Sequence, residues 1–158
     1  MRNAFLKLFV FCFIIGGILS CSRKEIFFNF HSFANAEWNR NDPAVFNVNI
    51  EDNSQPYDVS IELRNNNYYS FSNIWLFIDC KAPGGNSRTD TIEVDLADAN
   101  GKWYGEGLSL YSLSIPHETS VLFPDTGIYR YSISQGMQEN PLKGISDIGL
   151  KISKKFIE

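Results

Sequence analysis

Two histidines, three cysteines and 18 acidic side chains are the groups in this 158-residue chain with the means to do chemistry. His31 and His117 lie far apart in sequence, and neither has a second ligand at a familiar metal-binding spacing. Each therefore reads as a surface or hydrogen-bonded imidazole. The run Gly144-Ile145-Ser146-Asp147-Ile148-Gly149 is one residue longer than a nucleophile elbow. Both histidines also precede Ser146, whereas that hydrolase fold places its histidine last, so the run reads as a turn entering a strand. Asp98-Ala99-Asn100-Gly101 resembles half of a calcium loop, but the twelfth position, which needs a bidentate glutamate, falls on Gly107. A tight turn explains it better. Carboxylates are plentiful, yet a glycosidase pair is defined by separation in space, which spacing along the chain does not select. The sequence thus points to no catalytic group, no metal and no cofactor.

Cys21 is the cysteine with a chemical role. Arg2 and Lys7 give a positive start, Leu8 to Ile18 is an uncharged apolar run, and Ile18-Leu19-Ser20 leads directly into Cys21. That order is a secretory signal, and its apolar run is too short for the roughly 20 residues that span a bilayer. A cysteine directly after the expected cut resembles a bacterial lipoprotein signal, in which the thiol receives a diacylglycerol and the preceding peptide is removed. Residues 1–20 are then a signal peptide, 21–25 a lipidated tether and 26–158 a single domain. Cys12 leaves with the signal, so Cys80 is left without a disulfide partner. In the run WLFIDC it reads as a small buried hydrophobe.

The mature chain keeps 12 basic against 18 acidic side chains, since Arg2 and Lys7 go with the signal. This acidic balance, without a long basic run, argues against nucleic acid as a partner. Aromatic residues are the stronger lead. Trp103, Tyr104 and Tyr111 fall in or beside Ala97–Thr119, a long glycine-bearing segment that reads as irregular. With Met137, in the loop Gln135–Leu142, they are the candidate partner-contact residues. Trp75 belongs to an apolar run and is expected in the core.

The elements that must position these groups are strands. Glu25–Phe33, Ala44–Ile50, Tyr57–Leu63, Ile74–Cys80, Thr89–Leu96, Ser120–Phe123, Gly127–Ser134 and Asp147–Ser153 are apolar or alternating runs, about eight in all. Tyr57, Val59, Ile61 and Leu63 fall on one face of theirs. Gly84-Gly85-Asn86, Asn100-Gly101 and Phe123-Pro124-Asp125-Thr126-Gly127 punctuate the runs as turns. No capped helical stripe occurs. The pattern predicts an all-β, antiparallel β-sandwich, with immunoglobulin-like and jelly-roll orders equally compatible.

Four stretches carry a family resemblance: His31 to Asn39, Ser72–Ile78, Thr89–Leu108 and above all Gly127–Ile152 (GIYRYSISQGMQENPLKGISDIGLKI). In them the chain resembles the gliding-motility lipoprotein GldH family of gliding bacteria. The resemblance implies an envelope lipoprotein required for movement over surfaces, with other gliding-motility envelope proteins as partners and a link to a dedicated protein-secretion apparatus. It supplies no catalytic residues. Only Cys21 maps as a functional position. Ser22 after the lipidated cysteine points to the outer membrane, and the lack of an acidic cluster in Ser22-Arg23-Lys24-Glu25 points to its periplasmic face. The rival reading is a carbohydrate-binding module. An exposed planar row of Trp103, Tyr104 and Tyr111 favours glycan, whereas a mixed apolar patch favours protein.

Overall fold

The computed structural model describes residues 25–155, so Cys21 and the signal lie outside the described residues. Ten strands follow in chain order: β1 (Glu25–Ser32), β2 (Glu37–Trp38), β3 (Ala44–Ile50), β4 (Tyr57–Asn66), β5 (Asn73–Lys81), β6 (Ser87–Asp95), β7 (Leu110–Val121), β8 (Gly127–Gln135), β9 (Leu142–Lys143) and β10 (Ile145–Lys154). One four-stranded sheet has the order β1-β10-β4-β7 and the other β3-β8-β5-β6, while β2 and β9 form a short ribbon. Every strand pairing is antiparallel. The expected all-β sandwich is the fold.

Alternation drives the packing. Tyr57, Val59, Ile61 and Leu63 of β4 are all buried, as their period of two requires, and Ile148, Leu150 and Ile152 of β10 lie beside them. From the second sheet, Phe46, Val48 and Ile50 of β3, Ile74, Leu76 and Ile78 of β5, and Tyr131 and Ile133 of β8 complete the core. Trp38 closes one end, fully buried, stacked on Phe33 at 4.7 Å and donating Nε1–H to the Asp42 carbonyl at 2.9 Å.

Two expectations need correction. Ala97–Thr119 is not irregular throughout: β7 begins at Leu110 and pairs with β4 from Asn66 back to Tyr57. It is an edge strand, which is where Pro116 is tolerated. Trp75 is not in the core. Ile74, Leu76 and Ile78 take the inner face of β5, which turns Trp75 and Phe77 outward, each 40% exposed. Cys80, on the inner face near the end of β5, is half-buried and unpaired. Burial raises its thiol pKa, which keeps it the neutral, unreactive form.

The antiparallel pairing gives the sandwich two poles. The starts of β1 and β4 and the end of β10 share the pole where the chain enters at Glu25, since Glu25 pairs with Ser153 and Ser153 with Asp58. The end of β4 and the starts of β7 and β10 meet at the far pole, where Asn65 pairs with both Tyr111 and Ile145.

At the entry pole, Asp52 accepts from Ser54 Oγ–H at 2.6 Å, from Lys154 Nζ at 2.9 Å and from the Ser54 backbone N–H at 3.0 Å. These bonds, Ser54 foremost, lower its carboxyl pKa from 3.8 to about 2. The lowered folded pKa means that the bonds contribute fully above the ordinary carboxyl range and are lost as the pH falls towards about 2. A carboxyl titration followed by NMR should place Asp52 near 2, and an ordinary value there would show that the Ser54 and Lys154 bonds do not persist in solution.

Candidate functional site

The far pole is built from three connections. β4 runs into a turn in which the Tyr69 N–H donates to the Asn66 carbonyl at 3.2 Å, and the Tyr68 N–H to Asn66 Oδ1 at 2.9 Å. Behind this turn Gly144 (φ +86) donates its N–H to the Ala36 carbonyl and accepts from the Asn66 N–H, both at 2.8 Å. No side chain is tolerated there: a Cβ on Gly144 lies 2.2 Å from the Tyr69 nitrogen and 2.5 Å from its Cα.

The second connection, between β6 and β7, is ordered by its own polar groups. Asp98 Oδ1 accepts from the N–H groups of Asn100 and Lys102, each at 2.9 Å, while Gly101 takes a φ of +80. The Tyr104 N–H then donates to the Leu96 carbonyl, and Glu106 and Ser112 exchange backbone bonds, all at 2.9 Å. The segment is folded back over the start of β7. In the third connection, residues 136–141, the Met137 N–H donates to the fully buried Gln135 Oε1 at 2.8 Å and Arg40 Nη2 donates to the Met137 carbonyl. The Asn140–Pro141 bond is cis.

These connections bring aromatic side chains together across long stretches of sequence. Trp103 packs on Tyr111 with ring centroids 5.9 Å apart and on Tyr69 at 6.3 Å, and Tyr69 packs on Phe71 at 5.7 Å. Trp103 also donates Nε1–H to Asn67 Oδ1 at 3.2 Å, and Tyr111 donates its hydroxyl to the Leu108 carbonyl at 2.9 Å. Of the residues that the sequence singled out, Tyr104 is 55% exposed, Trp103 and Tyr111 are partly buried, and Met137 is buried. Met137 therefore serves from beneath: its Sδ accepts from the Trp75 N–H at 3.4 Å.

Sequence reasoning missed the most exposed members. Tyr68 and Leu108 are 82% and 94% exposed, and Leu110, Phe71, Trp75 and Phe77 also present apolar surface. Gly136 makes the outer face of β5 continuous with the pole, because it passes so close under Phe77 and Trp75 that a Cβ meets them at 3.0 and 3.1 Å. The signal for Trp75 and Phe77 was in the sequence as alternation within Ile74–Ile78, hidden because both faces of that run are apolar. A surface of this make-up, large apolar groups among Asn67, Asn73 and Gln138, is what contact sites present. The rings are inclined to one another, 39° between Trp103 and Tyr111 and 49° between Tyr69 and Trp103, so they form no flat row.

Fold and surface together define the class: a two-sheet all-β protein that presents a group of exposed apolar side chains, Tyr68, Phe71, Tyr104, Leu108 and Leu110, at its far pole. The chain belongs to the GldH lipoprotein family, whose model matches residues 25–152. It is similar to the gliding motility lipoprotein GldH homolog of Christiangramia forsetii, 34% identical over 162 residues that cover 98% of each chain. It is also similar to the gliding motility lipoprotein GldH of Flavobacterium johnsoniae, 28% identical over 146 residues, 87% of this chain and 90% of the other.

Proposed function

We propose that this protein is a lipid-anchored, non-catalytic accessory subunit of the bacterial gliding-motility machinery, and that it works by protein–protein contact through its far pole. The diacylglycerol on Cys21 holds it in the outer membrane, facing the periplasm. Its partners are other gliding-motility envelope proteins, linked to the associated secretion apparatus. The observation that carries this reading is the mixed apolar surface of Tyr68, Phe71, Tyr104, Leu108 and Leu110 at the pole opposite the tether. Family membership and the names of the two relatives support it. The carbohydrate-binding alternative calls for a flat stacking row, and the inclined rings of Trp103 and Tyr111 favour protein instead.

The test is photocrosslinking in gliding cells, with the reactive group placed at Tyr104 or Leu108 at the far pole and, as a control, at Leu122 at the entry pole. Capture of gliding-motility proteins from the far-pole positions alone supports the reading. Equal capture from both poles, or from neither, rejects the assigned surface.

Tyr104→Ala and Leu108→Asp separate contact from stability. Both side chains are largely exposed, so melting should change by no more than about 0.5 kcal/mol. A place near the centre of an interface should weaken partner capture by about 2 kcal/mol, roughly thirtyfold. Trp103→Ala, by contrast, should lower stability by about 1–3 kcal/mol, because it removes ring contacts within the protein itself. Colony spreading, protein level and melting temperature read together distinguish the two outcomes.

A further inference from the structure

One cluster lies away from the aromatic pole. The free edges of the two sheets, β6 and β7, are not joined by a backbone ladder, yet they meet through side chains. Asp90 of β6 faces His117 and Glu118 of β7, and one donor atom from each of the three lies within 4.8 Å of the others. Adjacent residues of a strand ordinarily point to opposite faces. Here the register slips: Pro116 pairs with Ser60 and Glu118 with Val59, so His117 is the extra residue of a β-bulge. A bulge re-aims side chains, and this one turns His117 and Glu118 towards the same carboxylate.

The imidazole is the second, independent observation. His117 has only 5% of its side chain exposed, its Nε2 has no hydrogen-bond partner, and that nitrogen points at Asp90 Oδ2 from 3.6 Å. A buried polar atom left unsatisfied costs about 1–3 kcal/mol, so an arrangement that keeps one aimed into an acidic cluster calls for a ligand. We propose that Asp90, His117 and Glu118 form a binding site for a first-row divalent transition metal ion, zinc being the best fit.

The donor set decides the class of ion. Calcium and magnesium prefer all-oxygen shells, whereas one imidazole nitrogen with carboxylate oxygens suits zinc and its neighbours. Tetrahedral ligands about 2.0–2.2 Å from zinc stand roughly 3.4 Å apart, close to the 3.6 Å between His117 Nε2 and Asp90 Oδ2. Arg88 is the competitor. Its guanidinium bonds Glu118 through Nη2 and approaches Asp90 Oδ2 through Nε at 3.4 Å, while half of its side chain remains exposed. An ion displaces it outward and takes over its two carboxylates, cross-linking β6 to β7.

The test titrates zinc chloride into the full lipoprotein in detergent micelles, by calorimetry and by NMR of the histidine ring nitrogens. One tight site is expected, with the ring resonances of His117 moving and those of His31 staying in place. His117→Gln and the double change Asp90→Asn with Glu118→Gln should each weaken binding by more than about tenfold. Arg88→Gln should bind at least as tightly as the parent. The carboxamide pair keeps the shape of the side chains and serves should His117→Gln fail to fold. Absent binding, binding that survives both changes, or a response at His31 instead of His117 overturns the proposal.

Discussion

Cys21→Ser should release the protein from the membrane. Acylation needs the thiol, and each buried methylene of an anchor contributes about 0.8 kcal/mol, so losing two or three acyl chains removes far more binding than surface charge supplies. The remaining short-range attractions are small, because Arg23 and Lys24 are the basic residues within the tether and a lysine or arginine at an anionic surface contributes about 1 kcal/mol. Labelled palmitate should enter the parent chain and not the variant, and cell fractionation should move the variant from the membrane to the soluble fraction. Palmitate incorporated into the serine variant would refute the lipoprotein assignment. Spreading of colonies should fail even though the strands from Glu25 onward are unchanged.

Gly144→Ala should produce the largest loss of stability for the smallest change in side chain. Its φ of +86 lies where a side chain is strained, and the added carbon falls 2.2 Å from a backbone nitrogen of Tyr69. Strain at such a φ and overpacking each cost about 1–3 kcal/mol, so a combined loss of about 3 kcal/mol or more is expected. In a domain of this size the midpoint of thermal unfolding should drop by about 10 °C. The turn bearing Tyr68 must give way first, because the contact is with backbone that no rotamer change can clear. The far pole therefore loses its shape before the core does, and partner capture should fall even at temperatures where the variant is folded. A variant that melts with the parent would show that the close approach of Gly144 to Tyr69 is absent in solution.

The strands that read most clearly from sequence are those with one buried face. In β4 the alternation of Tyr57, Val59, Ile61 and Leu63 corresponds directly to burial, because the other face carries Ser60, Glu62 and Arg64. β5 is different. With Ile74, Trp75, Leu76, Phe77 and Ile78 all apolar, period two selects no face, and the sheet resolves the choice by taking the branched aliphatic groups inward and leaving the broad rings outside. β7 escaped notice for a third reason. Tyr111, Leu113 and Ile115 alternate with serines, but Pro116 and the bulge at His117 break the pattern just where a strand would be recognised.

The candidate sites show the same division. Tyr104 was marked by its place in a loop rich in glycine, a local property. The packing of Trp103 between Tyr69 and Tyr111 follows from the pairing of β4 with β7, which joins residues far apart in the chain. Arg88, Asp90, His117 and Glu118 meet only because two sheet edges approach without sharing a backbone ladder. Neither spacing nor period encodes that approach, and neither histidine has a recognisable second ligand along the sequence.

The separation of the poles has a mechanical consequence. β10 has ten residues, so the strands carry the far pole about 30 Å from the point where the chain enters at Glu25. A molecule held at Cys21 and pulled by a partner at Tyr104 or Leu108 is loaded along the strand axes. In that direction β1 can leave β10 only by sliding, which strains the ladder bonds between them together. A pull across the sheet would open the same ladder one bond at a time, like a zip. The proposed function, with a tether at one end and a grip at the other, thus puts the load in shear, the direction in which a sandwich of long antiparallel strands yields last.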